Sequence, residues 1–208
     1  MKTLSELIHE GEHGQQDFKF RIDDQKKIAR TLSAFANCYG GKLIIGVKDN
    51  GKIVGCNPEE EFHMIDAAAS LIVQPPIIFH STVWQEDHKM VLIVDILPSN
   101  RKHKAPDEEN SYKYYIRVGD KTLVANKITV GVWRNKLRES VKPIIFDEKE
   151  STLLKYIEKH QPTSLSQLYR NLNLPKTFID KMLIQFICWE LVVAEYDYNL
   201  VKYKLFQV

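Results

Sequence analysis

Two neighbouring segments carry basic side chains at spacings that favour contact with phosphate. One is a polar stretch near residue 100, and the other has strand character, so that alternate residues share a face. Lysine and arginine attract phosphate at long range, and a tyrosine ring can stack on an unpaired base. The pattern predicts a nucleic-acid-binding surface. Its candidate residues are Arg101, Lys102, Lys104, Lys113, Tyr115 and Arg117.

This prediction requires the basic side chains to gather on one exposed face. The alternative is a solvated basic loop beside an ordinary sheet face. Arg117 has its own alternative, because its guanidinium could pair with Asp49 or Asp120 instead of phosphate.

The charge distribution supports the basic surface better than the overall charge does. The 208 residues carry a net charge of only +2. Residues 101–142 hold eleven Lys or Arg against five Asp or Glu, whereas residues 145–208 hold eight of each. The middle of the chain is therefore basic and the tail is neutral.

Hydrophobic periodicity and turn residues predict the elements that position these side chains. The fold class is α/β (α+β), with a mixed sheet in a first domain over residues 1–142. Asp23 and Asp24 cap one helix, and Gly40 and Gly41 end it, because glycine tolerates a left-handed C-terminal position. The predicted helices are 3–9, 25–38, 59–73 and 122–137, the strands 15–21, 42–47, 52–54, 77–84, 89–97 and 112–118, and residues 98–111 a polar loop.

A change of pattern after Lys142 and Pro143 predicts a second domain over residues 143–208. A helix at 147–160, a short helix capped by Ser164 and a third helix opened by Pro175 precede a hairpin at 191–206. Three helices and a β-ribbon are typical of a winged-helix domain. Its third helix offers Lys176 and Lys181 to DNA, although Asp180 lies between them. Docking to the first domain or pairing with a second subunit is the alternative role for this domain.

Several segments of the first domain together resemble the Schlafen AlbA-type family, which carries a DNA-binding label and an older ATP-binding label. The similarity spans roughly residues 10–130, and its C-terminal counterpart is only a general likeness to winged helices. The segments are Gln16–Lys19, Ala34–Asn37, Gly40–Gly51 and Tyr114–Asp120.

The resemblance also implies an alternative activity, metal-dependent RNA cleavage. Schlafen family members with endoribonuclease activity use three carboxylates, and the matching positions here are Glu12, Asp17 and Asp49. Such a cluster can hold Mg²⁺ or Mn²⁺, and Lys19 would neutralise developing charge. The sequence departs from that pattern. Asp17 replaces the usual Glu, Lys48 stands where an acid is common, and only one copy of the domain is present.

Other chemistries have little support in the sequence. Gly40 and Gly41 follow a helix, whereas phosphate binds at helix N-termini, and no phosphate-loop motif occurs, so ATP is not expected. Cys38, Cys56 and Cys188 are too few and too widely spaced for a disulfide framework or a zinc site, and are expected to be buried free thiols. No apolar run is long enough to span a membrane, which predicts a soluble cytoplasmic protein.

The sequence therefore predicts a nucleic-acid-binding protein, specifically a DNA-binding transcriptional regulator, without a cofactor. DNA is favoured over RNA as the partner, and a homodimer is an option. The alternatives are a Mg²⁺- or Mn²⁺-dependent ribonuclease using Glu12, Asp17 and Asp49, and an assembly module without catalysis.

Overall fold

The computed structural model describes residues 2–136, 147–198 and 200–206. The chain forms two compact units, Met1–Ala125 and Asn126–Val208. The predicted boundary at Lys142 and Pro143 lies outside the described residues. Helix α4, Lys127–Lys136, precedes that boundary and packs within the second unit against α7, Lys176–Cys188.

The first unit is built on a mixed four-stranded sheet, which confirms the predicted α+β class. The strands are β1 (Gln16–Lys19), β2 (Gly41–Ile45), β3 (Phe79–Glu86) and β4 (Lys89–Ile96). They lie in the order β1-β2-β4-β3, with β1 parallel to β2 and the other neighbours antiparallel.

Helices cover both faces of this sheet. On one face, α2 (Gln25–Asn37) and α3 (Pro58–Ala67) bury side chains such as Phe35 and Leu43. On the other face, α1 (Leu4–Glu10) contributes Leu4 and Leu7 to a smaller cluster with Phe18. Of the two predicted cap residues, Asp24 forms the cap, since its carboxylate accepts hydrogen bonds from two backbone N–H groups of the first turn.

Gly40 makes the turn from α2 into β2. Its φ is +72°, and an added Cβ would lie 2.5 Å from the backbone oxygen of Ile96. The sequence indicated the left-handed conformation, and the close backbone approach is a second requirement for glycine that the structure shows.

A second, three-stranded sheet packs against α2. It consists of β5 (Lys104–Pro106), β6 (Tyr112–Val118) and β7 (Lys121–Val124), in that order and antiparallel throughout. The sequence missed β5 in the predicted loop and wrongly predicted a helix from Thr122. Pairing with β6 keeps this segment extended, and α4 starts only after Asn126, whose side chain accepts a 2.9 Å hydrogen bond from the Thr129 N–H.

Two smaller predictions for the first unit also need correction. The predicted strand at 52–54 is only an isolated bridge between Val47 and Ile53. The predicted helix at 59–73 is α-helical only to Ala67 and continues as a π-helical turn, Ala68–Ile72. The three cysteines are free thiols, as expected, but they are half-buried rather than fully buried.

The second unit contains the elements predicted for the tail. Ser164 forms the expected cap, because it and Gln167 satisfy each other's backbone N–H groups. The core includes Leu153, Leu183 and Phe186. After α4 come α5 (Glu148–His160), β8 (Thr163–Ser164), α6 (Leu165–Asn171), α7, β9 (Val192–Asp197) and β10 (Leu200–Leu205). The three strands form one sheet in the order β8-β10-β9.

Candidate nucleic-acid interface

Strand β6 buries Tyr115 and Arg117, which the prediction placed on its exposed face, and it also buries Ile116 on the opposite face. Tyr115 is only 4% exposed, and the Arg117 side chain only 2%. Both face α2, and the Arg117 guanidinium lies 4.8 Å from the centre of the Phe35 ring. The helix covers both side chains, so the structure leaves neither Tyr115 accessible for the predicted stacking nor Arg117 accessible for the predicted phosphate contact.

The outer face of β6 instead carries the accessible tyrosines. Tyr112 and Tyr114 alternate with the buried Tyr115, and Tyr112 is exposed. Tyr114 pairs across the strands with Lys104, whose ammonium lies 5.0 Å from the centre of the Tyr114 ring. Sequence analysis missed these tyrosines because both faces of β6 carry tyrosine. Because Lys113 and Arg117 are basic, the sequence analysis assigned their face of β6, and not that of Tyr114, to solvent.

The basic residues of the loop before β5 and at its start differ in their exposure and contacts. Arg101 is exposed, and Lys104 is half-buried beside Tyr114. Lys102 is engaged internally, because its ammonium donates to the backbone oxygens of Asn37 at 2.9 Å and Ser99 at 3.2 Å. Burial lowers the pKa of Lys102. Its predicted role in phosphate binding is thus replaced by a role in holding the loop against the end of α2.

Asn37 holds this loop and the small sheet together. Its amide nitrogen donates to the backbone oxygens of His103 at 2.8 Å and Tyr115 at 2.9 Å. Its amide oxygen accepts from the His103 N–H at 2.7 Å. The Ala34–Asn37 motif therefore has a structural role, which fixes Lys104 and β6 at the position they occupy.

Lys113 lies on the inner face of β6 but near its start, where the side chain is exposed. Its ammonium is 4.0 Å from the Asp107 carboxylate. Ion pairs between exposed side chains are weak, so Lys113 remains able to bind phosphate.

Two of the three carboxylates of the nuclease alternative have partners within the fold. Glu12 accepts a 2.9 Å hydrogen bond from the Phe18 N–H. Asp17 is buried, with its two oxygens 3.2 Å from the Arg117 guanidinium and 2.5 Å from the Lys19 ammonium. Asp49 is exposed. Burial raises the pKa of Glu12, and the charges of Asp17 and Asp49 raise it further, while the Phe18 hydrogen bond opposes the rise.

Glu12 lies near enough to Asp17 and Asp49 for their charges to act on it, but Asp17 is also paired with Arg117. Among residues 2–136, 147–198 and 200–206, no group of three His, Cys, Asp or Glu side chains is placed to hold a metal ion. The Arg117 guanidinium pairs with one Asp17 oxygen, and the Lys19 ammonium lies near the other, which is buried and accepts no hydrogen bond among the described residues. Lys19 neutralises a carboxylate rather than a reacting phosphate.

The second unit exposes Lys176 and Lys181 on α7. Asp180, which lies between them, is engaged by other groups: it accepts a hydrogen bond from the Tyr169 hydroxyl and lies 2.6 Å from the Lys127 ammonium. The Lys176 ammonium is 5.5 Å from the centre of the Tyr169 ring. The acid that counted against this helix in the sequence is therefore neutralised.

The Schlafen, AlbA_2 family model matches residues 12–126, which is more than half of the chain. The chain belongs to the Schlafen AlbA_2 family. Membership of this family indicates a role related to nucleic acids. The matched segment contains every candidate residue of the first unit, whereas Lys176 and Lys181 lie beyond it.

Two solved structures are similar to this Schlafen AlbA_2 chain. The DIP2311 protein from Corynebacterium diphtheriae is 15% identical, with a TM-score of 0.47 over 93% of this chain and 40% of that one. The N-terminal domain of an ATP-dependent DNA helicase RecG-related protein from Nitrosomonas europaea is 18% identical, with a TM-score of 0.41 over 71% of this chain and 97% of that domain. This chain thus spans less than half of the DIP2311 chain. No curated protein matched the sequence.

The Schlafen AlbA_2 chain shows no helix with the length and apolar character needed to cross a bilayer, within the residues that the structure describes.

Proposed function

We propose that the protein binds nucleic acid, with DNA as the preferred partner, through the outer face of the small sheet and the loop before it. We call this surface the tyrosine–lysine face. The single observation that carries the proposal is the Lys104 ammonium above the Tyr114 ring, on the same face as Tyr112. The face consists of Arg101, Lys104, Tyr112 and Tyr114, and Lys113, exposed on the other side of β6 near its start, is a further phosphate candidate.

The chemistry of this face suits a strand with accessible bases. Tyrosine rings stack on unpaired bases of any sequence, and neighbouring lysines bind the phosphates that connect those bases. A lysine beside a ring adds positive charge close to the stacking position. Binding of this kind is tolerant of sequence and depends strongly on salt concentration.

The finer role, that of a DNA-binding transcriptional regulator, depends on the second unit. Its order of helices, short strand and hairpin supports a winged-helix-like assignment over residues 143–208. Lys176 and Lys181 on α7 would contact duplex phosphates in this proposal. Homodimer formation, common among such regulators, would place two copies of α7 on one duplex.

A binding titration with the Arg101→Glu/Lys104→Glu variant tests the proposal. Fluorescence anisotropy would compare single-stranded DNA, duplex DNA and RNA at two salt concentrations. We expect affinity for single strands to fall at least tenfold. The slope of log affinity against log salt concentration should become shallower by about two, one for each lost phosphate contact. Lys52→Glu/Lys155→Glu makes the same change of charge at two exposed lysines outside the face. Equal losses in both variants, or no loss in either, would refute the tyrosine–lysine face.

We place binding ahead of RNA cleavage because Arg117 and Lys19 already pair with Asp17. Incubation of labelled RNA and single-stranded DNA with Mn²⁺ or Mg²⁺ tests this order. We expect no cleavage that depends on Asp17 or Asp49. Cleavage by the native chain that is abolished in both Asp17→Asn and Asp49→Asn, with both variants folded, would reverse the ranking.

A further inference from the structure

Strand β3 is the edge of the main sheet, and its outer side has no partner strand in the part of the chain that the structure describes. All eight of its residues pair with β4 in unbroken register. Alternate residues of an antiparallel strand direct their N–H and C=O groups away from the neighbour they pair with. Strand β3 therefore presents a row of backbone hydrogen-bonding groups to solvent.

Proteins usually protect such an edge. Common devices are a short strand, a bulge, a proline or a lysine. The edge strand on the other side, β1, is only four residues long. Strand β3 is twice that length, has no bulge in its pairing, and contains neither proline nor lysine. This edge is accordingly suited to pairing with another strand.

The sequence of β3 is complementary to itself in the antiparallel direction. With Val83 on a twofold axis, Val83 faces its own copy, and His80 faces Glu86 of the second copy. Val83 is 52% exposed although it is apolar and lies mid-strand, and His80 and Glu86 are exposed as well. Apolar pairs, and polar pairs that can hydrogen-bond, stabilise the pairing when they lie directly across two strands. A twofold interface needs this self-complementarity, because both copies use the same patch.

We propose that the protein forms a homodimer by antiparallel pairing of β3 with β3 of a second copy, centred on Val83. The two four-stranded sheets then join edge to edge as one continuous sheet. This inference is independent of the proposed nucleic-acid binding, since it uses a different sheet and a different set of residues.

The first test is the oligomeric state of the full chain, measured by sedimentation equilibrium over a range of concentrations. We expect a monomer–dimer equilibrium. Val83→Lys places two ammonium groups opposite each other and should raise the dissociation constant about tenfold or more. Val124→Lys is the matched control, because Val124 is an equally exposed valine, 54%, on edge strand β7. A monomer at every concentration, or equal weakening by both substitutions, would overturn the proposal.

The second test reports the register directly. In the proposed pairing, residue 83 of each copy lies about 5 Å from its counterpart between Cβ atoms, within reach of a disulfide after small adjustment. Residue 81 lies about 13 Å from its counterpart, four residues along the strand. Under mild oxidation Val83→Cys should form a covalent dimer, whereas Ser81→Cys and the native chain, with its three cysteines, should not. Equal cross-linking of Ser81→Cys, or none of Val83→Cys, would contradict this pairing.

Discussion

Arg117 on β6 and Asp17 on β1 form a buried ion pair, with 3.2 Å between a guanidinium nitrogen and a carboxylate oxygen. The pair joins residues 100 positions apart and connects the small sheet to the main sheet. The same guanidinium donates to the Thr122 hydroxyl at 3.1 Å and to the backbone oxygen of His13 at 3.3 Å. Two residues that the sequence assigned to function thus stabilise the packing of the two sheets.

Removing one partner of this pair should destabilise the fold. Asp17→Ala leaves the Arg117 charge buried without its carboxylate, which typically costs about 3–5 kcal/mol of unfolding free energy. Urea denaturation followed by circular dichroism measures the loss. Lys113→Ala, which removes an exposed lysine 4.0 Å from Asp107, should cost less than about 1 kcal/mol. A loss below about 1 kcal/mol in Asp17→Ala would show that the pair does not carry this role.

The different burial of Tyr114 and Tyr115 predicts different effects for these adjacent tyrosines. Tyr114→Ala should weaken binding to single-stranded DNA by about 1–3 kcal/mol, roughly 5- to 150-fold, and lower the melting temperature less than Tyr115→Ala does. Tyr115→Ala should lower stability by about 3 kcal/mol or more, because it opens a cavity beneath α2, with little effect on the affinity of the folded protein. Anisotropy and thermal melting separate the two outcomes. Tyr114→Phe, which keeps the ring, serves as the conservative control.

The buried His103 predicts a stability that falls with acidification. Its Nδ1–H donates to the Pro75 backbone oxygen at 2.7 Å, which leaves Nε2 to take a proton where the described residues offer it no partner. Burial lowers the pKa of His103 below its ordinary value of 6.5. The unfolded chain then binds more protons than the folded chain as pH falls through 6.5, so stability declines in that window.

The measurement is the unfolding free energy at a series of pH values between about 7.5 and 5.5, around the ordinary histidine pKa. We expect His103→Gln to flatten the decline relative to the native chain at these pH values, even if its absolute stability is lower. His160→Gln, at an exposed histidine in the second unit, should leave the slope unchanged. If the unfolding free energy of His103→Gln declines with falling pH as steeply as that of the native chain, other groups cause the pH dependence.

Helix α7 should contribute to duplex binding if the second unit contacts DNA. Lys176→Glu/Lys181→Glu should reduce affinity for duplex DNA about tenfold or more, with a smaller salt dependence than the native chain. Lys155→Glu/Lys159→Glu makes the same charge change on α5, where both lysines are exposed. If the two variants behave alike, the effect is one of net charge and α7 makes no specific contact.

Local sequence signals found most elements because their causes are local. The Asp24 cap, the left-handed turn at Gly40 and the Ser164 cap each depend on residues within a few positions. Strand β5 and the extended segment before α4 had no comparable signal. Their conformation comes from pairing with β6, and a strand of three or four residues is stabilised by its neighbour rather than by its own residue preferences.

By itself the sequence determined the family, the mixed α/β class, the order of the main elements and the basic character of residues 101–142. Only the tertiary structure decided which side chains are available to a ligand. Alternation along β6 shows that Tyr114 and Tyr115 point in opposite directions, but not which of them α2 covers. Likewise, no local pattern brings Arg117 to Asp17, because their distance depends on how two separate sheets pack on the same helix.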